Sequence, residues 1–298
     1  MATTKTYFPE EFIAKYRELL GDEWQEFFET IKRKQPKAFW ANTNLVKVED
    51  VSKSLKAKDV TITQLPFHKQ AFSISMARPA DLSEFKEGKI ALQEKAAMLP
   101  AIALAPSWGD KVLDACAAPG MKTIQLSNLL GRAGKALALD VNTARFKSLA
   151  HNKGKYSLGN VEIGRADVRN VREKFPKILL DAPCSSEGLV RKKRDALKGW
   201  SQKLVERKAQ LQKELISHCF SLLEEGGEML YSTCSFAPEE NEEIVNLLLK
   251  ERPEAEVLPV KFEGIKIRKN DLCRNAARLY PQDNDTQQFF LAKILKAK

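Results

Sequence analysis

Two cysteines in this chain stand where a nucleophile would be useful. Cys184 follows Pro183 in "LLDAPCSSEGL" and Cys234 follows Thr233 in "EMLYSTCSFAPEENEE", each just past a run that reads as a buried strand. Packing alone accounts for many free cysteines, which behave as small apolar residues. A thiolate is also a strong nucleophile, so a pair of thiols at strand ends raises covalent catalysis as the alternative. Which of the two would attack stays open on the residues alone.

The stretch "VLDACAAPGMKT" suggests what such a thiol would work beside. Its Pro119-Gly120 turn follows a strand and precedes a helix. In a doubly wound sheet, ligands meet backbone N–H groups and a helix N-terminus at such a turn. Asp140 ends the next strand, twenty residues beyond Gly120, an offset that suits hydrogen bonds from ribose hydroxyls. Asp167 and Asp181 end the third and fourth strands on the same rim. Each aspartate alone reads equally well as a helix cap or turn residue; together they favour a nucleoside pocket. A nicotinamide site would want G-x-G-x-x-G and a P-loop G-x-x-x-x-G-K-[ST], and the lone Gly120 followed by Met121 fits neither. A nucleoside cofactor without a pyrophosphate, such as S-adenosyl-L-methionine, fits better.

The elements that must position these residues alternate from Lys111 onward. Apolar strands are expected over residues 111–117, 135–141, 161–167, 177–183 and 227–234, with helical periodicity between them and a further strand in "QQFFLAKILKAK", at or near an edge. Gly131, Gly154 and Gly226 fall where helix stops are expected. Repeated strand and helix argue for an α/β fold, a parallel sheet covered on both faces. The first 80 residues differ: two helices in "PEEFIAKYRELL" and "DEWQEFFETIKRK", a strand in "KAFWANTNLV", a helix in "VEDVSKSLKAK" and a strand in "VTITQLPF" predict a small α+β unit over 1–80, ahead of a domain over 81–298.

Composition is that of a globular chain, with 43% hydrophobic and 30% charged residues among 298, which excludes disorder and coiled coil. "AAMLPAIALAPSWG" is too short to span a bilayer and "MATTKTYFPEEF" lacks the apolar centre of a leader, so a cytoplasmic protein without membrane contact is expected. The five cysteines, Cys116, Cys184, Cys219, Cys234 and Cys273, include no C-x-x-C, so neither disulfides nor a metal is expected. The net charge is +10, and residues 191–213 alone carry nine basic side chains. They form either a solvated helix face or a strip that neutralises phosphates.

The blocks "DACAAPGMKT", "DAPCSSEG" and "STCSFAPEENE", in this order, resemble those of the RNA 5-methylcytosine methyltransferases, a family that joins bacterial ribosomal RNA cytosine methyltransferases to the Nol1/Nop2/Sun proteins. "FWANTN", "ALQEKAAML" and "RLYPQDNDTQQFF" extend the likeness over residues 38–298. The resemblance implies a Rossmann-like class I methyltransferase domain, a mostly parallel seven-stranded sheet with helices on both faces, using S-adenosyl-L-methionine. It implies that Cys116, Ala117, Ala118, Pro119, Gly120, Met121 and Lys122 form the methionine-side loop, that Asp140 binds the ribose with Arg145 beside it, and that Asp167 holds the adenine amino group. Asp181 would stand between cofactor and base, Cys234 would attack, and Cys184 would assist product release. Met121, Gln93-Glu94 and Gln288 depart from the usual Gly, Gln-Asp and Gly, and none removes a group the chemistry needs.

That chemistry suits these residues. Cytosine C5 is a weak nucleophile, and thiolate addition at C6 converts the ring into an enamine that can attack a methyl sulfonium. An Asp181 that keeps its proton would assist at N3. A Pro-Cys attacks in the DNA cytosine enzymes and the Thr-Cys in this family, so Cys234 is favoured under the resemblance. The base must leave its stack, which predicts single-stranded, looped or extruded RNA. The expected partner is transfer RNA, with ribosomal RNA next, bound by a monomer through residues 191–213 and the amino-terminal unit. Trp40 and Trp200 are candidate stacking residues, Trp40 more in keeping with core. Lys192, Lys193 and Arg194 are expected at the surface. A non-catalytic RNA-binding or ribosome-assembly factor and a DNA cytosine methyltransferase are the other readings.

Overall fold

The computed structural model describes residues 8–268 and 271–298; the start of the stretch considered for a leader lies outside them. Two helices open the described chain, α1 (Glu10–Leu20) and α2 (Trp24–Ile31). Then come β1 (Lys37–Ala41), α3 (Val48–Lys56), β2 (Thr61–Gln64), β3 (Ala71–Ser75), α4 (Ser83–Lys86) and β4 (Ile90–Leu92). The four strands form an antiparallel sheet in the order β2-β3-β1-β4. Its core gathers Phe39, Val51, Leu55, Phe72 and Ile74.

The small sheet does not stop at residue 80, because Trp40 and Phe39 pair with Ala91 and Leu92. The two opening helices do not join this sheet core. Phe12, Tyr16, Trp24 and Phe27 are buried together with Val190, Leu197, Trp200 and Phe236, residues from the far half of the chain.

The buried helix α5 (Lys95–Leu104) leads into the large sheet. There follow β5 (Lys111–Asp114), α6 (Met121–Leu130), β6 (Lys135–Leu139), α7 (Thr143–Lys155), β7 (Val161–Gly164), β8 (Phe175–Asp181), α8 (Gln202–Ser221), β9 (Leu223–Thr233), α9 (Glu242–Glu251), β10 (Ala255–Leu258), β11 (Ala277–Leu279), α10 (Pro281–Asn284) and β12 (Phe289–Lys296). The order is β10-β12-β9-β8-β5-β6-β7, with short β11 beside β12. Five central strands run parallel, and β12 is antiparallel to its neighbours and second from one edge.

Side-chain alternation splits the core as strand geometry requires. Val112 and Leu179 face α5 and α6, while Leu113, Ile178 and Leu180 face α8 and α9. The first three parallel strands end before the expected boundaries, because the residues beyond them turn away to build the site. Gly131 does cap α6, at φ 61°. Gly154 is carried inside α7, and Gly226, at φ 76°, bends the start of β9 instead of stopping α8.

Candidate active site

The loop after β5 folds back on itself. Ala117 N–H donates to Leu139 O at 2.8 Å and Gly120 N–H to Ala117 O at 2.7 Å. Gly120 has φ 103°, a conformation costly for residues with a Cβ, and an added Cβ would lie 2.9 Å from Leu149 Cδ1. The carboxylate of Asp140, at the end of β6, accepts from Ala118 N–H at 3.3 Å and Asn142 N–H at 2.9 Å. Arg145 Nη2 lies 3.4 Å from Asp140 and also donates to Ala118 O, so loop, acid and guanidinium form one unit. Asp114, below the loop, accepts from Thr123 Oγ1 at 2.7 Å, while its buried Oδ1 has no partner. Burial pushes its carboxyl up to about 7 against that hydrogen bond.

Asp181, at the end of β8, meets Lys122 from the first turn of α6: Nζ to Oδ2 is 2.7 Å. Its Oδ1 accepts from Ser232 Oγ at 2.8 Å. Both carboxylate oxygens therefore accept hydrogen bonds, one of them from the Lys122 ammonium.

Cys184 and Cys234, fifty residues apart, are brought to 3.4 Å between sulfurs by the parallel pairing of β8 with β9. The hydrogen-bonding contact with Cys184 and burial together hold the Cys234 thiol well above its ordinary range, and Asp181 adds to the effect while Lys122 opposes it. Gly188 N–H donates to Cys234 O at 2.8 Å, and a Cβ on Gly188 would stand 2.5 Å from that oxygen.

Beneath the thiols lies a buried polar network that sequence reasoning missed. Glu240 accepts from Ser185 N–H at 2.9 Å, from Gln212 Nε2 at 2.9 Å and from Ser235 Oγ at 2.7 Å. Glu187 accepts from Phe236 N–H at 2.8 Å and Tyr16 OH at 2.7 Å, as well as from Trp200 Nε1, and lies 3.0 Å from Ser235 Oγ. Burial raises the Glu187 carboxyl above the usual range, and Tyr16, buried beside it, is raised further. Each acid thus touches both cysteine loops. The signal lay within the cysteine blocks themselves, since Ser185, Glu187, Ser235 and Glu240 flank the two cysteines in sequence.

Other expected residues are placed differently. Asp167 grips Arg169 through both oxygens, at 2.6 Å from Nη2, and this contact lowers its carboxyl below the ordinary value. Cys116 turns its thiol toward the core containing Cys219, and burial pushes it well up, so its contribution to the rim is its backbone. Met121 packs on the opposite core. Trp200 is not a stacking platform, because its ring is buried against Phe12 and its N–H is committed to Glu187. Trp40 is core, stacked on His68 with its N–H on Asn128. Of the basic run, Lys192 and Lys193 are exposed, whereas Arg191 is buried on Thr286 O and Arg194 reaches Lys32 O.

The strand-end donor set suits a cationic nucleoside. Asp140 and Asp181 stand at the ends of β6 and β8, which flank β5, Asp114 Oδ1 is an unpaired acceptor under the loop, and such a row of acids would repel a pyrophosphate. Among the described residues no cluster of His, Cys, Asp or Glu could hold a metal, and no helix is long and apolar enough to cross a membrane.

Comparison with known proteins agrees with this fold. Residues 101–295 match the family described as 16S rRNA methyltransferase RsmB/F, and residues 8–95 match the N-terminal domain of 16S rRNA methyltransferase RsmF. Ribosomal RNA small subunit methyltransferase F of Erwinia tasmaniensis is 33% identical over 99% of this chain and 64% of its own length; the Escherichia coli K12 protein of the same name is 33% identical over 100% and 65%. The chain thus spans just under two thirds of these relatives. A methyltransferase homolog protein from Pyrococcus horikoshii superposes with TM-score 0.86 at 30% identity, covering 97% of this chain and 95% of that one. NSun6 from the same organism, at 20% identity, shares the fold with TM-score 0.89 over 98% and 99%. By the match over most of its length, the chain belongs to the 16S rRNA methyltransferase RsmB/F family.

Proposed function

We propose that this chain is an RNA cytosine-C5 methyltransferase that forms 5-methylcytosine in small-subunit ribosomal RNA. The observation that carries the reading is the 3.4 Å approach of Cys184 and Cys234 beside the Lys122–Asp181 pair at the carboxyl ends of parallel strands. Ribosomal RNA replaces transfer RNA as the first substrate, because relatives 33% identical bear the name Ribosomal RNA small subunit methyltransferase F. The compact amino-terminal unit, whose small size favours transfer RNA on sequence alone, matches the N-terminal domain of an rRNA methyltransferase.

The residues that would hold S-adenosyl-L-methionine are the loop Cys116–Lys122 through its backbone and Asp140 through its carboxylate, with Arg145 locking loop to acid; Asp167, tied to Arg169, would have to share an oxygen with the adenine amino group. When bound, the cofactor supplies an electrophilic methyl group. Cys234 Sγ adds to C6 of an extruded cytosine, making C5 nucleophilic. Lys122 shares its protons between Asp181 and the base, favouring addition and helping to ionise Cys234. Once the methyl group is on C5, a water held by Cys184, or Cys184 itself after giving its own proton to solvent, takes the C5 proton; the electron pair of that C–H bond restores C5=C6 and the C6–Sγ bond breaks, with Cys234 leaving as a thiolate. A thiol this close to the attacking sulfur is placed for that second task.

The test is methyl transfer from labelled S-adenosyl-L-methionine into separate pools of small-subunit rRNA, tRNA and DNA. Label should enter rRNA as 5-methylcytosine and be lost in Cys234→Ala. Transfer that survives Cys234→Ala, or that appears only in DNA, would refute the reading.

A further inference from the structure

A cavity of about 490 Å³ opens between the small sheet and the segment Glu187–Arg191 that leaves the cysteine loop. Pro36, Pro79 and Leu92 give it apolar walls, and Lys34, Arg78 and Lys192 stand exposed at its edge, outnumbering the two lining acids, exposed Asp81 and buried Glu94.

Gln93 lines this space and is 6% exposed. Its Nε2 donates to Ala97 O at 2.7 Å and to Gln125 Oε1 at 3.0 Å, which fixes the amide with Oε1 buried and without a partner. Gln35 Oε1, in the same lining, is likewise buried and unpartnered. A buried acceptor without a donor is costly, so two in one cavity indicate a ligand that brings N–H groups. Flat apolar faces, an N–H edge and an attached anion are together the chemistry of a nucleotide.

The position of the cavity selects which nucleotide. Gly188 is bonded to the Cys234 carbonyl, and Arg191, three residues on, lines the cavity. A 3-10 segment rises about 2 Å per residue, so about 6 Å of backbone joins the two places. We infer that the cavity receives an unstacked nucleotide of the RNA strand next to the target cytosine, its base edge on Gln93 and its phosphate at the basic rim. Unstacked single strands are what side chains read in RNA. This inference rests on the reading of the chain as an RNA methyltransferase.

The experiment uses the full chain and an RNA fragment carrying the methylated cytosine, with an abasic residue placed in turn at each of the flanking positions. Base removal at one of these positions should weaken wild-type binding about tenfold, a typical loss for one recognised base. The same removal should cost nothing further in Gln93→Leu, nor in Ala80→Phe, which fills the cavity from an exposed lining position and remains informative if Gln93→Leu does not fold. Wild-type methylation with no position coupled to either variant overturns the cavity assignment alone. No methylation by the wild type overturns the functional reading and this inference with it.

Discussion

The two sulfurs share one site but not one environment. Cys234 is held as a thiol by its neighbour and by burial, and the charge opposing this is Lys122. Its thiolate fraction should therefore grow with pH through the neutral range, and kcat/KM with it. Lys122→Gln removes the opposing cation, so the rise should move to higher pH; an unmoved profile would show that Lys122 does not tune the thiol. If Cys184 serves release, Cys184→Ala should accumulate an RNA–protein adduct that survives denaturing electrophoresis, while Cys234→Ala should form none. The reverse pattern would exchange the roles. Asp114 offers a stability test. Its carboxyl sits at about 7 in the fold and near 4 when unfolded, so the folded protein binds the extra proton in between and stability falls as pH rises from about 4 to about 7. The full effect is on the order of a few kcal/mol, and Asp114→Asn should flatten that slope in denaturant titrations.

At the scale of elements, the site depends on close approaches that leave no room for side chains. Gly188→Ala would drive a methyl group into the Cys234 carbonyl. Overpacking of this kind costs about 1–3 kcal/mol, and activity should fall more than thermal stability, because the displaced strand end carries the proposed nucleophile. Much of this level was legible in sequence. The parallel strands showed as apolar runs, the Pro119-Gly120 turn marked the loop, and the two cysteine blocks marked neighbouring strand ends. Other parts were not legible. The β4 strand is three residues long and gains its identity from pairing with β1. Trp200 reads in sequence as one aromatic in a basic stretch, and only the arrival of Phe12 and Tyr16 from the other end of the chain makes it core. Local periodicity carries no information about such distant partners. The Lys122–Asp181 pair was hidden for the same reason, since nothing in a strand or helix pattern says which lysine meets which acid.

Across the whole molecule, charge is expected to set RNA affinity. Lys192 and Lys193 are exposed on the basic turn, whereas Arg191 is spent on holding Thr286 and Asp285. Replacing Lys192 and Lys193 with Gln should lower the slope of log K against log salt by about 0.7 for each phosphate left without its cation, and leave methyl transfer to saturating RNA unchanged. Arg191→Gln should instead destabilise the fold, detectable as a lower Tm, because the buried carbonyl of Thr286 loses its donor and the exposed Asp285 its cation.

The clasp of Tyr16 and Trp200 on Glu187 means that the polar network beneath the two thiols is finished by a residue of α1. A fragment excised at residue 80 would keep every cysteine and every residue proposed to hold the cofactor and still lack the phenol that closes the clasp, along with the aromatic faces of α1 and α2. In this protein, severing the leading segment would be an injury to the proposed catalytic site and not the removal of an accessory.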